Sequence, residues 1–347
     1  MLQTTRTRKT ARAKVLTVAK LILPFGLLTL LLRYVPESGK TDAAASQGHA
    51  VTVFLCGYKF WRFCEAVFPE YSCKGSAHGF ATDQDILLIG MHASCPREKE
   101  FPGKIIYING EPDIASRVKG SYYLGPLDDG REQSSMQFYF ASIAALQMPQ
   151  AYAGFIERKR NSGEHFLLYV SRRCLPHREK AFNMFASIGP VTAAGKCTGS
   201  TVEGSAEVAR NTLTIDGTGS WMDAHELYSR FKFGLVMENT ERKGYVSEKI
   251  LNAFSGGTVP IYFGTEDVFQ IFNYKAFVYW DKKNPAKTLD EVAVLLQDTK
   301  KYKEMLSQPI LAPGAYEFFF ALYGKGQTSA NVRQLIGISP HAIEEDD

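Results

Sequence analysis

What this 347-residue chain lacks narrows its function before any motif does. It has no Asn-x-Ser/Thr sequon, so N-glycosylation of the chain itself is not expected. It has no cysteine beyond Cys197, and Cys56, Cys64, Cys73, Cys95, Cys174 and Cys197 match no zinc spacing, which needs two close pairs. In a lumenal compartment an even count suggests disulfides whose connectivity the spacing leaves open; the alternative is burial as small hydrophobes. A spread-out basic surplus is missing too. The formal net charge of +4 sits in Arg6, Arg8, Lys9, Arg12 and Lys14, and the remainder is close to neutral. That argues against a generalised nucleic-acid surface. Disorder is not the default at 45% hydrophobic and 22% charged residues, and the length allows two core-bearing domains.

One long apolar run is present, and no second of that length. Val15 to Leu32 is apolar apart from Lys20, which lies near the basic edge and can snorkel to headgroups. Basic residues precede it, which predicts a cytoplasmic tail (1–14), a transmembrane signal anchor (15–35) and a short polar stem (36–50). The expected protein is single-pass and type II, with its bulk in the lumen. A cleaved signal peptide ending near Ala43 or a transit peptide are the alternatives, since no acid precedes Glu37.

From residue 51 onward, short apolar runs bounded by turn residues predict strands buried on both faces of parallel sheets. They are Val51–Cys56, Asp85–Gly90 and Lys104–Asn109, followed by a helix over 133–147 and a boundary within 156–164. The second half restarts at Phe166–Ser171, with a helix from Pro176 to Ser187, a strand near Pro190–Ala193 and a Gly/Ser/Thr-rich loop over 195–220. Next comes Lys232 to Asn273, read as strand, polar loop, helix, strand and short helix; Val278–Trp280 and a helix from Leu289 to Leu306 follow. Strand–helix alternation in both halves predicts two Rossmann-like α/β domains facing a cleft, an acceptor-side domain at 51–158 and a nucleotide-binding domain at 159–310. Residues 311–347 are expected to form a C-terminal helix, packed through Tyr316, Phe318, Phe319, Phe320 and Tyr323, and an acidic tail.

Polar residues gather where the strand ending at Met237 meets the next helix: Glu238, Asn239, Tyr245, Glu248 and Lys249. Open α/β sheets bind ligands at such carboxyl ends. Lys249 and the helix amides suit one phosphate group, and Arg178, opening the helix after Phe166–Ser171, supplies a second cation. Glu248 suits ribose hydroxyls. This is the layout of a nucleotide-diphosphate grip.

MENTERKGYVSEKILNAFSGGTVPIYFG resembles the α1,3-fucosyltransferase signature, Phe-Glu-Asn, then Tyr-(Ile/Val)-(Thr/Ser)-Glu-Lys, a helix and (Val/Ile)-Pro-(Ile/Val). YVSRRCLPHREKAFNMFASIGPVTAAGKCTGS is similar to that family's other conserved block. The resemblance implies a GT-B fold and GDP-L-fucose as donor, contacted by Arg178, Asn239, Tyr245, Glu248 and Lys249. Glu238 matches the Glu of Phe-Glu-Asn, with Met237 in place of Phe as a packing change.

An inverting transfer needs a carboxylate across the cleft to take the acceptor proton. Glu111 ends the strand Lys104–Asn109, and its Tyr-Ile-Asn-Gly-Glu-Pro context resembles the family's N-domain base motif, with Glu-Pro where Glu-Ser-Pro is usual. Asp83-Gln84-Asp85 precedes a strand and is not read as a metal site, and His92, His177 and His225 have no partner at ligand spacing. No metal and no required cofactor are expected, manganese being stimulatory at most.

The expected function is a Golgi membrane fucosyltransferase, its catalytic domain lumenal, adding α1,3-linked fucose to a GlcNAc hydroxyl of glycoprotein or glycolipid glycans. The alternatives are a GT-B transferase using another nucleotide sugar, or a catalytically silent glycan-binding protein of that fold.

Overall fold

The computed structural model describes residues 50–57, 60–75, 79–91, 93–112, 119–126, 134–147, 161–199, 210–213, 224–316 and 327–339. All lie in one compact unit, His49–Asp347. The expected anchor at 15–35 and the boundary at 158/159 fall outside the described residues. Among those described, no helix is long and apolar enough to cross a membrane.

The first half builds β1 (Thr52–Cys56), α1 (Trp61–Val67), β2 (Ser72–Gly75), β3 (Ile86–Gly90), β4 (Lys104–Ile108), β5 (Tyr122–Gly125), β6 (Ser135–Gln137) and α2 (Phe140–Gln147). Its six strands form a parallel sheet ordered β2-β1-β3-β4-β5-β6. Every residue of β1 and β3 is buried, which is why both read as unbroken apolar runs.

The second half builds β7 (His165–Ser171), α3 (Pro176–Phe185), β8 (Val191–Gly195), β9 (Arg210–Leu213), α4 (Ala224–Tyr228), β10 (Phe231–Met237), α5 (Glu248–Ser255), β11 (Val259–Phe263), α6 (Val268–Ile271), β12 (Val278–Tyr279), α7 (Pro285–Gln297), α8 (Thr299–Leu306) and α9 (Gln327–Leu335). Its parallel order is β12-β11-β10-β7-β8-β9. Successive strands step outward one way from β7 and then the other way from β10. The order therefore reverses between β7 and β10, the place where a doubly wound sheet opens a ligand crevice.

Three expectations need correcting. The stretch 133–147 is not one helix: Ser135–Gln137 forms an edge strand, and the helix begins at Phe140. Leu289 to Leu306 is two helices, because Asp298 stops α7 and caps α8, accepting the Lys300 and Lys301 amides at 3.0 and 3.1 Å. The Gly/Ser/Thr-rich loop contains β9. Of the aromatic cluster, only Tyr316 is among the described residues.

The cysteines whose pairing the sequence left open form three disulfides, Cys56–Cys95, Cys64–Cys73 and Cys174–Cys197. The last joins the segments leaving β7 and β8, on one side of the crevice. The two halves meet where the Ala141 amide donates to the Val246 carbonyl at 3.0 Å and the Gln137 side chain to the Gly244 carbonyl at 3.3 Å. Tyr139, Ala141 and Ala144 share a core with Val246, Ile250, Phe254 and Tyr262. Gly244 has φ +81°, and a Cβ there would lie 2.7 Å from the Gln137 amide.

Candidate active site

β10 leaves the core at Met237, and the next residue, Glu238, is wholly buried. An isolated buried carboxylate is costly, and this one is fully engaged. Oε1 accepts the Ser247 amide at 2.8 Å; Oε2 accepts the Ser247 hydroxyl at 2.8 Å and the Lys249 ammonium at 3.1 Å. Ser247 is the N-cap of α5, so Glu238 holds both that helix start and its lysine. Burial pulls the Lys249 ammonium down, but Glu238 and Glu248 outweigh it and hold the lysine above its usual range. Its side chain keeps 26% exposure.

The main chain of Glu238 binds the other cation. Its carbonyl accepts from Arg178 Nε at 3.3 Å and lies 3.2 Å from His177 Nε2. Arg178 enters from the first turn of α3, where Pro176 fixes the helix start. Its guanidinium also donates to Ser171 Oγ, to the Arg173 carbonyl and, at 2.6 Å, to Asn239 Oδ1. Arg178 and Lys249, expected from sequence to act together, are thus fastened to one residue at the β7/β10 reversal.

Asn239 continues the network. Its Nδ2 donates to the Tyr245 hydroxyl at 3.3 Å, and that hydroxyl donates to Glu111 Oε2 at 3.4 Å. Glu111 follows β4 in the first half. Asn109 shapes its backbone: Oδ1 accepts the Glu111 amide at 2.9 Å while Nδ2 donates to the Glu111 carbonyl at 2.8 Å. Gly110 is required there, because a Cβ would lie 2.3 Å from the Phe140 ring.

Glu248 opens α5 with a buried carboxyl whose Oε2 has no hydrogen-bond partner. Burial raises its proton affinity; Lys249 opposes this, and Glu238 and Glu111 reinforce it. A buried acceptor left open beside the Lys249 ammonium is suited to a hydroxyl donor. The arrangement therefore offers two cations for a polyanion, an open acceptor for a hydroxyl, and a half-buried carboxylate reached from the opposite sheet.

The structure brings Arg178, Glu238, Asn239, Tyr245, Lys249 and Glu111 into one hydrogen-bonded network, with Glu248 electrostatically coupled to it. Glu238, expected among the donor contacts, acts on the crevice through Ser247 and Lys249, since both its oxygens are occupied. Sequence reasoning missed Asn109, Ser247 and Asp267, whose carboxylate accepts the Gly244 amide. Ser247 was recoverable as a Ser N-cap before Glu-Lys; no local pattern marks Asp267. Asp85 of the Asp-x-Asp triplet is structural: Oδ1 accepts the Thr52 amide at 2.7 Å, and Oδ2 accepts the Thr82 amide at 2.7 Å. Cys174, Glu179 and Cys197 cluster at metal-ligand range, but the two sulfurs are joined to each other.

Residues 161–307, which hold the named site residues except Glu111 and its support Asn109, match the family model for glycosyltransferase family 10 (fucosyltransferase) C-term. The chain is 29% identical over 259 residues to a protein of Acanthamoeba polyphaga mimivirus named as a fucosyltransferase. It is 35% identical over 132 residues to an alpha-(1,3)-fucosyltransferase of Helicobacter pylori, and 31% identical over 184 residues to an alpha-(1,4)-fucosyltransferase of Arabidopsis thaliana. These matches take in 72, 38 and 49% of this chain and only 40, 24 and 46% of those proteins. Among solved structures, an alpha1,3-fucosyltransferase superposes with a TM-score of 0.60 at 18% identity, covering 88% of this chain and 95% of that one. An alpha1,3-fucosyltransferase structure with GDP-fucose gives 0.55, at 18% identity and 89 and 95% coverage. A DNA-modifying beta-glucosyltransferase also gives 0.55, at 12% identity and 83 and 99% coverage. The resemblance to fucosyltransferases read from the motifs is thereby shown over the second half, and the whole described unit has the two-sheet GT-B architecture.

Proposed function

We propose that the chain is an inverting fucosyltransferase that moves L-fucose from GDP-fucose to a hydroxyl of an acceptor glycan. The acceptor oxygen attacks the anomeric carbon, Glu111 takes its proton, and the bond to the diphosphate breaks on the opposite face. Negative charge grows on the departing GDP as that bond lengthens. Lys249 and Arg178 are already fixed where it develops, so little reorganisation is needed. Asn239, Tyr245 and Glu248 complete the donor contacts, Glu248 Oε2 accepting from a hydroxyl. The carrying observation is the attachment of both cations to Glu238, with Glu111 on the same hydrogen-bonded network.

The proposal extends to an α1,3 linkage to GlcNAc in protein glycosylation, by a type II Golgi membrane protein anchored through residues 15–35. No required metal is included, because the chain's own cations supply the neutralising charge. Transfer assays with GDP-fucose and N-acetyllactosamine or core N-glycan acceptors, with and without EDTA, test this reading. Linkage analysis of the product separates α1,3 from α1,4. No transfer and no donor hydrolysis would overturn it. The shared fold of a glucosyltransferase motivates a second reading, another nucleotide sugar at the same grip, and a thermal-shift panel of nucleotide sugars separates the two.

A further inference from the structure

Glu111 is held by a hydrogen-bond chain with a fixed direction. Arg178 only donates, so the Asn239 atom 2.6 Å from its Nη2 is the amide oxygen. That fixes the amide's orientation and presents Asn239 Nδ2–H to the Tyr245 oxygen at 3.3 Å. With its lone pair engaged there, the tyrosine turns its own proton to Glu111 Oε2 at 3.4 Å. Every link donates the same way, from a cation of the second half to a carboxylate of the first.

The surroundings keep Tyr245 a donor. Its side chain is almost wholly buried, with the Lys249 ammonium 6.0 Å from the ring centre. Burial, then Glu238, Glu111 and Glu248, push its hydroxyl far above the usual tyrosine range, Arg178 opposing. Among the described residues the Tyr245 hydroxyl is the hydrogen-bond partner of the Glu111 carboxylate, while Asn109 holds the Glu111 main chain. Oε2 is therefore restrained and Oε1 left for the acceptor proton.

We propose that Tyr245 is the positioning residue of the catalytic base, its hydroxyl orienting the Glu111 carboxylate and tying that orientation to the diphosphate-binding side chains Asn239 and Arg178. This rests on the fucosyl-transfer reading and deepens it: Tyr245 acts on the acceptor side of the reaction through Glu111, in addition to any contact with the donor.

The test is Tyr245→Phe, which keeps the ring and deletes the hydroxyl. With GDP-fucose and acceptor, kcat should fall roughly 10- to 100-fold, the worth of one hydrogen bond to a charged group, while KM for GDP-fucose stays within about threefold. A readout independent of turnover is the side-chain 13C relaxation of Glu111, assigned by the resonance that Glu111→Gln removes: Tyr245→Phe should free the carboxylate and lower its order parameter. An unchanged kcat, or a Glu111 side chain as ordered in Tyr245→Phe as in the unaltered protein, would overturn the inference. If the unaltered protein transfers no fucose, the functional reading fails, and the side-chain order still decides the positioning role.

Discussion

Lys249 Nζ lies 3.1 Å from Glu238 Oε2, an ion pair whose acid is fully buried and whose base keeps about a quarter of its side chain in water. The acid is thus a built-in counter-charge and the lysine the half that meets a ligand. The same glutamate accepts from Arg178 through its carbonyl, so one residue at the end of β10 registers both cations.

Glu238→Gln keeps the shape and removes the counter-charge. The lysine's folded value is raised, so the pair's stabilisation is complete below the unfolded lysine value of about 10.4 and is lost as pH rises through the higher folded one. Without Glu238, burial dominates and the lysine loses its proton earlier. GDP affinity measured from pH 7 to 10.5 should fall at lower pH in the variant, and stability should drop by on the order of 3 kcal/mol in urea melts.

Glu248→Gln should separate stability from binding. An acid whose folded value is raised costs stability once pH exceeds its unfolded value of about 4.3, and the cost is complete above the folded value. The variant should melt with the unaltered protein near pH 4 and a few degrees above it at pH 8, while binding GDP-fucose more weakly. Equal melting temperatures at both values would remove the burial argument.

Glu111→Gln should retain GDP affinity and lose transfer by about two to four orders of magnitude. Calorimetry and turnover on the same preparation check this. Unchanged turnover removes Glu111 from the mechanism.

Arg333 on α9 fastens the end of the chain to the first half. It donates to Glu70 Oε1 at 2.6 Å and Oε2 at 3.2 Å, and to the Val67 carbonyl at 2.9 Å. Arg333→Ala should cost on the order of 2–3 kcal/mol, less than a fully buried pair because Glu70 keeps a third of its side chain in water. Denaturant melts measure it, and GDP affinity should be unaffected.

The strands readable in advance were those buried on both faces: ILLIG in β3, KIIYI in β4 and FKFGLVM in β10. The ones missed are mostly edges. β2, β6 and β9 close the ends of their sheets with SCKG, SMQ and RNTL, whose polar content suits a strand with one open flank and resembles a loop. β5 (YYLG) is interior but only four residues long, too short to show a period. At the site, groups of distinctive chemistry at strand ends were legible: Arg178, Asn239, Tyr245, Lys249 and Glu111. Their supports were less so. Asp267 satisfies the Gly244 amide, brought close only by the fold, and such a role leaves no local spacing to read. Asn109 braces the Glu111 main chain two residues on, a local Asx-type contact, but its bond to the Tyr123 hydroxyl is set by the sheet.

The central claim is that Arg178 and Lys249 together bind a nucleotide diphosphate. Titrating GDP calorimetrically into the unaltered protein, Arg178→Ala and Lys249→Ala, all in EDTA, tests it most directly. The expected result is metal-independent binding that weakens roughly 10- to 100-fold in each variant, as loss of a charged hydrogen bond requires. Dissociation constants unchanged in both variants would contradict it.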